Sequence, residues 1–156
     1  MKPYATIILL TIVLLLFAAG CSGTAHENSP ELFLTNSDTG QIIWSASVSH
    51  GDEFVLEYTH SVHKTPVKDY YAVTDNGQML LIKTAFSTFG AGMPYESQYE
   101  FSIEDGFFVI NSINRPVESF LMRIVPLADH RLVLEDQTIY LNDLVPTGTL
   151  ILVSIE

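Results

Sequence analysis

Glu53–His60 reads EFVLEYTH. Alternate side chains of an extended chain point to opposite faces, so Phe54, Leu56, Tyr58 and His60 share one face and Val55, Glu57 and Thr59 the other. The first set is apolar until its last member, which marks a strand with one face on a core and His60 where strand passes into loop. The same texture recurs at Gln41–Ser49, Tyr70–Thr74, Gln78–Phe86, Phe107–Ile113, Phe120–Val125, Arg131–Leu134, Thr138–Leu141 and Thr149–Ile155. Each run is rich in Val, Ile, Phe or Tyr and is bounded by Gly, Pro, Asn or Asp. Asn76-Gly77 tolerates positive φ and predicts a hairpin between Tyr70–Thr74 and Gln78–Phe86, and Glu135–Gln137 predicts a second. After residue 20 no window of helical length carries apolar residues at helical spacing. The expectation is an all-β fold, an antiparallel β-sandwich or barrel of about nine short strands. Trp44 and the seven tyrosines are assigned to core and cross-strand pairs.

The chain has 156 residues, 47% of them hydrophobic, enough for one core. Seven basic side chains stand against 18 acidic ones, a net charge of −11. Phosphate backbones bind through Lys and Arg clusters, so nucleic-acid partners are excluded. A mean hydropathy of +0.27 has a local source. Ile7–Ala19 (IILLTIVLLLFAA) is almost wholly apolar, follows Lys2, and is too short for a comfortable membrane span. It has the length of a secretory signal core and ends in Ala18-Ala19-Gly20 before Cys21, the only cysteine. This resembles a bacterial lipoprotein signal, with cleavage before Cys21 and acylation of its sulfur. The alternative is an ordinary signal peptide or an uncleaved anchor. The expected organisation is a signal peptide over 1–20, a flexible Gly/Ser/Pro-containing tether over 21–30 and a single β domain over 31–156. Lys2 leaves with the signal, so six basic and 18 acidic residues remain, a net of −12. The expected location is extracytoplasmic, lipid-anchored to a bacterial membrane.

Two stretches carry candidate chemistry. His60, Ser61, His63, Lys64 and Thr65 crowd one connection, and Thr65 before Pro66 is held extended. A polar loop between rigid strands suits a binding site. His60 and His63 with Glu57 or Asp69 supply a donor set for zinc or a similar ion, although an off-helix H-x-x-H pair has low specificity. The plain alternative has His60 bonded to backbone and His63 solvated. Ser61 beside His60 offers parts of a hydrolase, but adjacent strand side chains diverge and no G-x-S-x-G elbow is present. No catalytic residues are assigned, the chain is expected not to be an enzyme, and no cofactor is expected. The second stretch is Phe86–Tyr95 (FSTFGAGMPY), where Gly90, Ala91 and Gly92 can present amides to a carboxylate. Tight packing of a strand connection explains those glycines equally. Arg115 and Arg123 are the cations for any bound anion.

Together Glu57–Val62, Thr65–Val67 and Phe89–Pro94 (FGAGMP) resemble a family of small bacterial proteins of unknown function, often encoded beside TRAP-type solute transporters of the TAXI subclass. The resemblance implies an accessory or solute-interaction role beside such a transporter or its binding protein, and supplies no catalytic residues. The competing expectation is a small metal- or anion-binding protein using the His60–Thr65 and Gly90–Pro94 loops.

Overall fold

The computed structural model describes residues 29–88 and 100–156. They form two antiparallel sheets stacked as a sandwich. The small sheet contains β1 (Glu31–Asn36), β2 (Ile42–Ser47), β9 (Ser119–Arg123) and β12 (Leu150–Ile155), in the order β2-β1-β12-β9. The large sheet contains β3 (Glu53–Thr59), β4 (Pro66–Val73), β5 (Met79–Phe86), β6 (Glu100–Glu104), β7 (Phe107–Asn111), β10 (Arg131–Leu134) and β11 (Gln137–Tyr140). Its order is β11-β10-β3-β4-β5-β7-β6, and the three-residue β8 (Arg115–Val117) pairs with the first part of β5. One short helix, α1 (Leu141–Leu144), precedes β12.

The strand count is twelve among the described residues rather than nine, and the omissions have physical reasons. β6 is exposed along most of its length and β8 is short and contains Pro116, so neither shows an apolar run. β4 begins at Pro66 instead of Tyr70 because Lys68 and Asp69 are strand residues. Pro66 has no N–H to give to the ladder. Its neighbour Thr59 donates its own N–H to the Ala128 carbonyl at 2.7 Å. β1 is a further strand beyond those expected, in which Leu32 and Leu34 alternate with half-buried neighbours and are both fully buried.

Turn chemistry follows composition. The β4–β5 hairpin forms at Asn76-Gly77, with only Gly77 of the pair at positive φ (71°). The β6–β7 turn takes positive φ at both Asp105 (49°) and Gly106 (83°), the geometry of a two-residue hairpin. Glu135 (51°) opens the β10–β11 turn.

Leu32, Leu34, Met122, Ile151 and Val153 of the small sheet meet Phe54, Leu56, Tyr71, Val73 and Leu132 of the large sheet in the main core. Phe54 stacks on Tyr71 with centroids 5.0 Å apart, and Tyr71 on Phe120 at 5.3 Å. A second cluster, Val67, Phe86 and Ile110, lies further along the large sheet, and Tyr58 packs against both. Leu34→Ala leaves a void at the centre of this interface. It is expected to cost about 2–5 kcal/mol and to lower Tm by roughly 10 °C or more in thermal unfolding.

Candidate functional site

β3 and β4 form a long ladder from Glu53↔Ala72 to Thr59↔Pro66. Residues 60–65 close its far end. The His60 N–H donates to the Thr65 carbonyl at 2.8 Å, and the Lys64 N–H to the His60 carbonyl at 2.9 Å, with Lys64 at φ 56°. His60 Nδ1 accepts from the N–H groups of Val62 and His63, each at 3.3 Å. The imidazole thus caps its own loop, as an Asx side chain does in a turn, and keeps its proton on Nε2. The His63 ring lies 5.2 Å from it, and His63 Nε2 is buried with no hydrogen-bond partner.

The remaining metal candidates are held elsewhere. Glu57 faces outward and pairs with Lys68 at 2.8 Å. Asp69 stands opposite Leu56, so it shares the core-facing side of the sheet with Val67, Tyr71 and Val73. Among the described residues no group of three or more His, Cys, Asp or Glu side chains is placed to hold an ion. Ser61 is exposed and Thr65 half-buried. Gly90, Ala91, Gly92 and Cys21 lie outside the described residues.

The Asp69 environment is the feature that sequence reasoning missed. Thr84 sits opposite on β5 and donates its hydroxyl to Asp69 Oδ1, and the Tyr58 hydroxyl donates as well. Burial raises the Asp69 carboxyl above its ordinary value of 3.8, while Thr84, Tyr58 and the positive charge of Arg115 oppose that rise. The same burial, with Asp69 beside them, pushes the Tyr58 and Tyr71 hydroxyls far above the ordinary phenol range. A protonatable carboxyl is therefore set between two apolar clusters and ringed by hydroxyls. Tyr58 links it to the loop end, where His130 lies 6.0 Å from the Tyr58 ring. His130 is buried, its Nδ1 has no partner, and desolvation lowers its pKa.

Two depressions flank this ladder. A small one of about 90 Å³ lies between Glu57, Lys68, Asp129 and Arg131, whose charges pair within it. A groove of about 700 Å³ lies at the opposite end, lined by Ser29, Pro30, His50, Asp75, Gln78 and Glu156, with His50 Nδ1 2.8 Å from Asp75. Of the cations proposed for an anion, Arg123 donates to the Gly148 carbonyl at 2.8 Å. Arg115 is exposed near Asp69.

These features define a small β-sandwich with a histidine-capped hairpin loop and a carboxyl buried behind it. Residues 54–141 match the family described as a domain of unknown function, DUF1850, and the chain belongs to that family. Searches of characterised proteins and of solved structures give no match. The matched span contains the large sheet and β9 but not β1, β2 or β12, so three of the four small-sheet strands lie outside it.

Two outcomes check the site. Because native Asp69 holds its proton above pH 3.8, where the unfolded chain has lost it, stability falls as pH rises from that value towards the native one. Asp69→Asn keeps the shape and an acceptor for Thr84, so a Tm–pH series should show that decline in the wild type only. His60→Ala removes the acceptor for two amides and should cost about 1 kcal/mol in denaturant unfolding, with His60→Asn recovering most of it.

Proposed function

We propose that this chain is an extracytoplasmic lipoprotein held by acylated Cys21, and that its β domain is an accessory or solute-interaction module beside a TRAP-type transporter. The observation that carries this reading is the opposition of two ends. Residues 1–28 join the domain at Ser29-Pro30, and Pro30 packs against Gly77 of the β4–β5 turn, where an added Cβ would lie 3.3 Å from Pro30 Cβ. The His60–Thr65 loop closes the other end of β3, seven residues away, or about 23 Å at the usual strand rise. A tether joined at Pro30 leaves the loop at the far end of the domain from the point of attachment, free to meet a partner. Its tip carries Val62, which is 67% exposed and makes a natural contact point. The strong negative charge keeps the domain off anionic headgroups, and two or more acyl chains supply stable anchoring. The resemblance of the Glu57–Val67 and Phe89–Pro94 pieces supports the choice of transporter class.

Copurification from membranes with the tagged full chain at native expression should recover transporter subunits, and Val62→Asp should reduce that recovery several-fold. Recovery of no subunit with the unsubstituted chain would overturn the accessory role.

A second reading, capture of a metal ion or small anion by the loop, is favoured by the buried and unpartnered His63 Nε2. A ligand that binds only the folded state raises Tm by mass action. Zinc, or a carboxylic acid, should then raise Tm for the wild type and not for His63→Ala. Equal behaviour of the two proteins counts against capture.

A further inference from the structure

We propose that Asn76 is a modification site, converting spontaneously to aspartate and isoaspartate through a cyclic imide at a rate set by Thr74. Of the six asparagines in the chain, Asn76 alone precedes a glycine. The reaction begins when the next backbone nitrogen attacks the side-chain carbonyl carbon. Here that nitrogen belongs to Gly77, which has no Cβ to obstruct the approach. The N–Cγ bond forms as the Cγ–Nδ2 bond breaks, and ammonia leaves with the proton of the Gly77 N–H. Water then opens the imide at either carbonyl, giving aspartate or isoaspartate, so no oxidant or reductant is involved. Residue 76 is exposed in the β4–β5 turn, where water reaches it. Gly77 is fixed by the fold: its φ is 71°, and an added Cβ would lie 3.3 Å from Pro30 Cβ. The reactive pair is therefore kept and restrained instead of replaced.

Thr74 supplies the restraint from both of its polar groups. Its hydroxyl donates to Asn76 Oδ1 at 2.5 Å, and Asn76 Nδ2 donates to Gln78 Oε1 at 3.1 Å, so both ends of the amide are engaged. The Thr74 carbonyl accepts the Gly77 N–H at 2.9 Å, and its hydroxyl oxygen accepts the Gln78 N–H at 3.0 Å. Attack needs a Gly77 nitrogen released from its acceptor and an Asn76 amide free to rotate onto it. The carbonyl of Thr74 thus holds the nucleophile and its hydroxyl holds the electrophile. Asn36 is an internal reference: its Oδ1 accepts from the N–H groups of Asp38 and Thr39, and Ser37 follows it. Conversion at residue 76 acts where residues 1–28 join the domain. Aspartate sets a new carboxylate next to Asp75, which pairs with His50 at 2.8 Å. Isoaspartate adds a methylene to the backbone of the turn that Pro30 packs against.

The test is peptide mapping of the purified full chain held in warm, mildly alkaline buffer well below the Tm of every variant, with isoaspartate quantified by mass spectrometry. In denaturant the wild type should convert Asn76 well ahead of Asn36. The folded wild type should convert Asn76 at least about ten-fold more slowly, since two ordinary hydrogen bonds must open first. Thr74→Val should raise the folded rate about five-fold, the factor carried by one such bond, and leave the rate in denaturant unchanged. Thr74→Ser keeps the hydroxyl and should stay near the wild-type rate. Absence of isoaspartate at residue 76 in denaturant overturns the site. Equal folded and denatured rates in the wild type, or a Thr74→Val rate no faster than that of Thr74→Ser, overturn the part given to Thr74. So does an equal rise at Asn36 in Thr74→Val, which would mark general unfolding.

Discussion

The ladder between β1 and β12, in which Leu32 faces Ile155 and Asn36 faces Ile151, is the constraint on which the sandwich rests. It joins the two ends of the domain, so its closure entropy is recovered only when the whole interior packs. β9 pairs with β12 and β2 with β1, so the small sheet is assembled around this one non-local contact. Without it, Phe54, Leu56, Tyr71 and Leu132 on the large sheet would face water. This also explains why a family match over residues 54–141 does not describe a folding unit here. The remaining strands supply the other half of the core.

With the core closed, the large sheet can carry polar groups that a lone sheet could not protect. Asp69 lies in the inward row of β4 between Val67 and Tyr71, and its desolvation is offset by hydroxyl donors from β3 and β5. The histidine loop extends the same ladder by one turn. Its order comes from His60 accepting backbone N–H groups, which is a structural duty. His63 has no such duty visible, and its partnerless Nε2 is what distinguishes it chemically.

Much of this was legible in the chain. The alternation in EFVLEYTH places Phe54, Leu56 and Tyr58 inward, and the longer β-branched or aromatic runs other than β1 mark their strands to within a few residues. What escaped depended on partners distant in sequence. Asp69 is a candidate metal donor in the sequence, just before the strand expected from Tyr70, and its inward place shows only when β4 begins at Pro66. Yet Val67, Asp69, Tyr71 and Val73 share one parity, and an acid on an apolar parity is the signal that was available. Thr84 and Arg115 could not be joined to it without the β4–β5 and β5–β8 registers. Glu57 and Asp69, the alternative carboxylates for a metal, are twelve positions apart on paired strands and point to opposite faces.

The position of Leu150–Ile155 in the order of synthesis bears on how the protein is made. Until these six residues emerge, β1 and β9 have no strand between them, and the nascent chain holds a hairpin and an uncovered sheet rather than a sandwich. A chain that stays open through most of its synthesis remains threadable through a narrow channel. Closure of the core is thereby deferred until β12 can be inserted between β1 and β9.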